Sequence, residues 1–449
     1  MKKIGSILKN KEIMNRILFT ILILFIFRIG AQITVPCVDA SGISDAVNGN
    51  NALSLMNMLG GGTLQTFSIF ALGVSPYITA QIIVQLLASD VLPALTELKR
   101  EGQTGRKKME MATRYLSLML GAVQAYGIIK TIESSTNANL ITGDNQWLTY
   151  LYIIIVMLAG SMIVMWLGDQ ISTKGIGNGI SMIIFAGIVC SLPSQITSAF
   201  GLWVIDSRGT GDAKEIAGVF QFLLYIFSFL LIISFVVFIE LSKRKIPVQN
   251  SGKSGQTQSM ARASFLPIKI NSAGVIPVIF ASSILMAPSV INAFVGGDSD
   301  AGWLNIFDSS KLTNMGNGFY MPWGLIIYLT LTIAFTFFYA NVQINPEQLA
   351  ENFQKSNSYI PGVRPGLETE RYVRRVLNRV TFIGAMSLAL IAALPSVLSL
   401  TIFKDYPSLA LGGTGLIIVV GVALELNAQI DGLLAGKSFD EVVASGGSF

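Results

Sequence analysis

Leu53-Ser54-Leu55-Met56-Asn57-Met58-Leu59-Gly60-Gly61-Gly62-Thr63-Leu64-Gln65-Thr66-Phe67-Ser68-Ile69-Phe70-Ala71-Leu72-Gly73-Val74-Ser75-Pro76-Tyr77 is apolar enough to enter a bilayer but too broken to cross one. Each of the three consecutive glycines disfavours helix by roughly 1 kcal/mol. Pro76 fits best in the first turn of a new helix, where its missing N–H costs nothing. The stretch therefore reads as a short apolar half-helix followed by a full span opening at Val74. Irregular backbone at membrane depth persists only where protein or a water-filled cavity surrounds it, so a half-helix that dips inward requires a lined cavity. The same composition also fits a hairpin lying flat on the interface, and the stretch by itself leaves both open.

The remainder of the chain is built for the same solvent. Of its 449 residues 52% are hydrophobic and 13% charged, and the mean hydropathy is +0.60. A soluble domain carries about 25% charged residues, so a soluble enzyme is excluded. A helix crosses the hydrocarbon with about 20 apolar residues. Ten stretches qualify: Ile17–Pro36, Val74–Leu92, Thr113–Ile132, Leu148–Leu167, Ile176–Leu192, Ile216–Leu241, Ser272–Phe294, Trp323–Val342, Val373–Leu394 and Leu409–Leu426. The first is too long for a signal-peptide core, contains Arg28 and lacks a small-residue cleavage site, so it is expected to stay as a span.

Charge sorts by side. Among the loops and tails, the 31 Lys and Arg gather on one side of the spans, the other side holding only Lys130, Arg208, Lys214, Lys311 and Lys404, while Arg28 lies inside a span. That bias places both termini in the cytoplasm. Two loops on the basic side, Ser242–Asn271 and Gln343–Tyr372, are far longer than a helix connection needs, and long ordered loops usually carry function. In the second, Asn345-Pro346-Glu347 reads as N-cap, proline at N1 and a first-turn acid. Pro361-Gly362-Val363-Arg364-Pro365-Gly366 reads as two turns that present one cation at a rigid tip, a docking feature.

Missing chemistry narrows the function. The chain has no histidine, which excludes imidazole general bases and histidine metal ligands. Its two cysteines, Cys37 and Cys190, suggest neither a metal cluster nor a disulfide framework. Ion-coupled carriers and pumps generally place ionisable groups at mid-membrane depth. Here the span middles are nearly bare, with Arg28 toward one end of the first span and Glu425 toward an end of the last. No catalytic constellation, metal site or cofactor site emerges, and Gly252-Lys253-Ser254 lacks the glycine pattern of a phosphate loop. The chain is not read as an enzyme. A carrier for a small neutral solute remains compatible with ten spans and an interrupted helix.

Two aliphatic rows run at i, i+4 and so line one helix face each: Val74, Ile78 and Ile82, and Ile180, Ile184 and Ile188. Almost any membrane helix has such a row, for packing or for lipid. Gly175-Ile176-Gly177-Asn178-Gly179 opens the fifth span with glycines that allow close backbone approach.

At these residues the sequence closely resembles the SecY family, the central subunit of the bacterial protein-conducting channel. The matching stretches are Ile69-Phe70-Ala71-Leu72-Gly73-Val74-Ser75-Pro76-Tyr77-Ile78, Gly175-Ile176-Gly177-Asn178-Gly179-Ile180-Ser181, Asn271-Ser272-Ala273-Gly274-Val275-Ile276-Pro277, the Pro361–Gly366 turns and Gly412-Gly413-Thr414-Gly415. The resemblance implies an all-α polytopic membrane protein in the bacterial cytoplasmic membrane. Its ten transmembrane helices would form two pseudo-symmetric five-helix halves, residues 1–193 and 194–428, with a tail at 429–449. The halves would form an hourglass pore that opens sideways to lipid between spans two and three and spans seven and eight. The half-helix 57–72 would be a plug, involving Asn57, Leu59, Gly60, Gly61, Gly62, Phe67, Ile69 and Phe70. A waist ring would comprise Val74, Ile78, Ile82, Ile180, Ile184, Ile276, Ile279 and Ile418.

An apolar ring excludes ions by dewetting rather than by charge and offers a passing chain nothing to stick to, which suits sequence-indifferent conduction. The resemblance further implies passive conduction of secretory polypeptides carrying signal sequences. The motor would be external, either the SecA ATPase or a translating ribosome, docking at Arg364 with Lys243, Arg244 and Lys245. SecE and SecG would be membrane partners, and cytoplasmic basic residues would also touch anionic lipids. The family's loop after span six is usually more basic than Gln249–Ser259, whose middle here is polar.

Overall fold

Each of the ten apolar stretches contains helix in the computed structural model, which describes residues 10–36, 38, 43, 47, 57, 60–88, 93–136, 146–205, 212–250, 264–295, 303–307, 313–314, 320–401 and 413–444. The helices are α1 (Lys11–Gly30), α2 (Ser75–Leu87), α3 (Pro93–Arg100), α4 (Gln103–Thr136), α5 (Gln146–Lys174), α6 (Gly179–Phe200), α7 (Asp212–Leu241), α8 (Ile276–Val295), α9 (Trp323–Gln343), α10 (Pro346–Lys355), α11 (Leu367–Thr401) and α12 (Gly413–Ala444). Among the described residues eight helices are long and apolar enough to cross a membrane, while α2 and the Ile276–Leu285 part of α8 are apolar but shorter.

Several ends differ from the sequence expectation. α1 begins at Lys11 and stops at Gly30, because the following residues leave the helix to pair with the interrupted segment. α6 runs straight through Pro193, where the sequence reading drew the boundary between halves, and ends in a π-helical turn at Gly201–Ile205. Ser191, Ser194 and Thr197 hydroxyls donate back to helix carbonyls around that proline. α12 continues to Ala444, so the stretch from 429 starts as helix.

The glycine-dense turn between α5 and α6 behaves as its composition implies. Gly177 has φ +91°, a left-handed backbone that glycine adopts without a Cβ clash. A β-carbon on Gly179 would sit 1.8 Å from the Gly168 carbonyl oxygen, so the two helices meet backbone to backbone. The Asn178 side chain caps α6 by accepting from the Ile180 N–H at 3.2 Å, and the Ile176 N–H is satisfied by Thr20 Oγ1 on α1 at 3.1 Å.

The two long loops contain strands that the sequence reading left as loop. β1 (Lys243–Asn250) pairs antiparallel with β2 (Ser264–Lys269), matching Lys243 with Lys269, Arg244 with Ile268 and Ile246 with Leu266. Residues Thr313–Asn314 (β3) and Tyr320–Met321 (β4) form a small separate pair. A short strand from the second loop, β5 (Ser358–Tyr359), adds to the far edge of β1 at Gln249 and Asn250. Strands alternate their faces with period two. Ile246 and Val248 with Ile268 are buried on one face, while Lys243, Lys245, Lys269 and the Phe265 ring are exposed on the other. Pro247 and Pro267 hide this pattern in the sequence, since proline argues against a central strand. The structure tolerates Pro247 because β5 covers β1 only beyond it. The 251–259 part of the loop lies outside the described residues.

The buried face rests on α11, which starts before its membrane portion. Val373, Leu377 and Val380, spaced for one helix face, form a small core with Ile246, Ile268 and Ile360. The cap on α10 is as expected: Asn345 Oδ1 accepts from the Glu347 N–H at 3.0 Å, and Pro346 opens the helix. Truncating a buried leucine costs about 2–5 kcal/mol. Leu377→Ala is therefore expected to detach the sheet while the spans stay folded, seen as faster tryptic cleavage at Lys243–Lys245 in purified membranes.

Candidate functional site

Seven of the eight expected ring residues fall within the bundle's one large apolar core, which also takes in buried residues of α1, α5, α7, α9 and α11. Val74, at the N-terminal end of α2, is buried with Ile78 and Ile82 on that helix, Ile184 on α6, Ile279 on α8 and Ile418 on α12, and Ile180 packs against them. Ile276 stands apart: it is the first residue of α8 and is 37% exposed. Close approach draws the contributing helices together. A β-carbon on Gly421 of α12 would stand 2.6 Å from Val275 Cγ1, just before α8. The Gly177 N–H ahead of α6 donates to Gln429 Oε1 on α12 at 2.9 Å.

The interrupted segment lies against this cluster. Asn57 and Gly60 have helical backbone, and Leu59 is outside the described residues. Residues 61–74 then proceed as turns rather than as a continuous half-helix, because Gly61, Gly62, Phe67 and Gly73 take positive φ. Two glycine contacts set its tip. A β-carbon on Gly187 of α6 would fall 2.3 Å from Gly61 Cα, and one on Gly73 would fall 2.9 Å from Gly60 Cα. Gly187 is three residues beyond Ile184, on the same helix face, and Gly73 precedes Val74. The glycine tip thus lies against Gly187 and Gly73, the neighbours of the expected ring positions Ile184 and Val74.

The segment's backbone is answered almost group by group. Asn57 Oδ1 accepts from the Leu64 and Gln65 N–H groups at 3.1 and 3.2 Å. Arg28 Nη1 donates to the Gly61 carbonyl at 3.0 Å, and Ser161 Oγ donates to that of Gly73 at 3.2 Å. The Ile69 N–H donates to Ile33 O, and the Val35 N–H to Phe67 O. These contacts give Arg28, an isolated cation in an apolar span by sequence, a defined partner.

The described plug residues divide between two cores. Phe70 stacks on Phe27 of α1 with centroids 5.8 Å apart and belongs to the central cluster. Phe67, with Leu64, Ala71 and Leu72, belongs to a second cluster formed with α4 and α5, and Ile69 touches both. Residues Leu64–Leu72 are therefore divided between the two cores, and of the tip the described residues Gly60–Gly62 meet glycine contacts and hydrogen bonds. Sequence reasoning missed Gly187 and Gly160, the latter lying where a β-carbon would meet the Ile69 carbonyl oxygen at 2.0 Å. A glycine inside an apolar span was the available signal.

The expected docking residues sit at one end of the molecule. Lys243, Arg244 and Lys245 are exposed on β1, and Arg364 is exposed at the turn between β5 and α11. The turn is stiff: Gly362 and Gly366 take φ +81° and +102°, the Val363 N–H donates to Ile360 O at 3.1 Å, and Thr369 Oγ1 donates to the Arg364 carbonyl at 2.9 Å. Sheet pairing adds Lys269 opposite Lys243, a cation the sequence reading left out.

The profile of the SecY family matches residues 68–427. The protein translocase subunit SecY of Mycoplasma capricolum subsp. capricolum is 44% identical, over 98% of this chain and 91% of its own. The chain belongs to the SecY family. Solved structures agree on the fold. One described as a protein-conducting channel superposes with TM-score 0.69 at 19% identity, covering 98% of this chain and 96% of that one. A SecY structure, described as having a plug domain that stabilises the closed state of the translocation channel and maintains a membrane seal, gives 0.66 at 19% over the same shares. Sec61 in the canine ribosome-channel complex gives 0.65 at 18%, again over 98% and 96%. For this SecY-family chain, Gly187→Val is expected to push the Gly61 tip off the ring and raise resting ion conductance severalfold in planar bilayers, whereas a conductance equal to wild type would show that the tip does not seal.

Proposed function

We propose that this chain is the channel-forming subunit of a protein translocase, passing secretory polypeptides across the membrane and releasing signal and transmembrane helices sideways into lipid. The observation that carries the reading is the burial of Val74, Ile78, Ile82, Ile184, Ile279 and Ile418 in the bundle's main apolar core, with a glycine tip packed against Gly187 and Gly73, which neighbour Ile184 and Val74. Branched aliphatic side chains deform around a moving chain yet leave no polar foothold, and when the chain has left they dewet against ions. Ile180 and Ile276 complete the ring in this reading, and the 57–72 segment is the plug. An apolar helix that has entered gains about 25 cal/mol for each Å² of apolar surface taken from water, which favours sideways exit.

Conduction of this kind is passive and needs an outside motor. The membrane is the bacterial cytoplasmic membrane, with both termini and the β1–β2–β5 sheet on the cytoplasmic side, as the sorting of Lys and Arg supports. The two halves of the bundle meet at the turn after α6. SecE and SecG are the membrane partners, and SecA or a translating ribosome docks on the cytoplasmic sheet. Anionic lipid headgroups take up the remaining basic residues. Arg364 suits such a contact because a guanidinium bonds carboxylate or phosphate in a bidentate fork. Its turn is ordered by backbone bonds and not by its own side chain, so substitution leaves the fold intact. Arg364→Glu should cut ATP-driven translocation into proteoliposomes by at least about tenfold, the effect of losing a charge-assisted contact of 1.5–3 kcal/mol. Normal translocation by this variant would remove Arg364 from the docking surface.

A further inference from the structure

Where the β1–β2 sheet joins the bundle, a carboxylate and several unpartnered oxygens are buried together. Glu240 stands one residue before the end of α7 and is 9% exposed. Asn271, two residues after β2, is buried and donates from Nδ2 to Glu240 Oε1 at 2.6 Å and to the Gly274 carbonyl at 3.1 Å. Both amide hydrogens are thereby used, which leaves Oδ1 as an acceptor on the other side. A β-carbon on Gly384 of α11 would lie 2.3 Å from the Ile270 carbonyl oxygen and 3.6 Å from Asn271 Cα. α11 therefore presses on this turn, and Thr381 lies three residues earlier on the same helix face.

Among the described residues six buried side-chain N or O atoms lack a hydrogen-bond partner, and three of the six are Asn271 Oδ1, Ser272 Oγ and Thr381 Oγ1. All three residues are more than nine-tenths buried. Buried polar atoms are satisfied almost everywhere in proteins, so a local group of exceptions points to a guest, a water or an ion. Charge decides which. A buried carboxylate is costly unless a positive charge offsets it, and the amide of Asn271 is neutral. The charges that act on Glu240, those of Lys269 and Glu425, are both exposed and opposite in sign. A water would satisfy the hydroxyls but bring no charge.

We infer that this joint binds a monovalent cation of the sodium or potassium kind, held by the Glu240 carboxylate, Asn271 Oδ1 and the hydroxyl oxygens of Ser272 and Thr381. Oxygen donors without nitrogen or sulfur suit a hard cation, and a single carboxylate balances a single positive charge. The ion fastens the end of α7, the turn into α8 and α11 at one point, at the root of the sheet. This goes beyond the conduction proposed above and does not depend on it.

The test titrates purified channel complex in choline chloride with potassium or sodium chloride, at constant total salt, and follows the thermal unfolding midpoint. A ligand held only by the folded state raises that midpoint as its concentration rises, so the wild-type complex should show a saturable rise with at least one of the two ions. Glu240→Gln keeps the side-chain outline and removes the charge, and Thr381→Val keeps the outline and removes one oxygen. The half-saturating concentration should increase at least about tenfold in Glu240→Gln, as for loss of a charge-assisted contact, and about two- to tenfold in Thr381→Val. A wild-type midpoint indifferent to both ions would overturn the site and leave its oxygens to water. Wild-type half-saturation in either variant would place the ion elsewhere and overturn it as well. Thr381→Val decides the matter alone if Glu240→Gln fails to fold.

Discussion

Inside an apolar bundle, irregular backbone must have its N–H and C=O groups answered by protein, since the bilayer supplies no partner and each orphan costs several kcal/mol. The rest of this structure depends on meeting that demand for the interrupted segment. Asn57 serves two N–H groups, Arg28 and Ser161 each serve a carbonyl, and the strand-like contact of Thr34 with Ser68 serves others. These bonds allow the chain to abandon helix between Gly61 and Val74 and to bring bare glycine backbone against Gly187 of α6. A continuous helix there would satisfy itself, but its side chains would hold Gly61 away from Gly187.

The division of the segment between two cores gives it a mechanical meaning. From Leu64 onward it is wall, anchored with Ile128, Ile132 and Met157. At the other end of the bundle the sheet is tied to α11 through Val373 and Leu377, and α11 packs along α9 and α12. The sheet is therefore continuous, through α11, with the packed core of the bundle.

Much of this architecture was legible in the chain. Runs of apolar residues located each of the eight described helices long enough to cross a membrane, the Asn345-Pro346-Glu347 cap was read directly, and the broken segment announced itself through three glycines before a proline. What escaped was whatever depends on partners distant in sequence. The β1–β2 hairpin has only two buried residues on β1, Ile246 and Val248, with proline between them, too short a pattern to distinguish from loop. Gly187 looks like any small residue in a membrane helix until Gly61 is placed against it. Glu240 and Asn271 carry no local signal of their pairing, which is created by the return of the β1–β2 hairpin to the bundle. Ile276, which resemblance alone assigned to the ring, stands at the start of α8 and is more than a third exposed.

The central claim is that a polypeptide passes the ring, and a disulfide crosslink tests it most directly. Cys37 and Cys190 are replaced with serine, a single cysteine is placed at Ile184, and a secretory chain carrying its own cysteine is stalled in transit. The account predicts a specific crosslink that appears only at stall lengths bringing the two cysteines level, and disappears as the stall point moves on. If the ring positions form no crosslink while the stalled chain is demonstrably engaged elsewhere on the protein, the cluster is ordinary helix packing and the account is wrong.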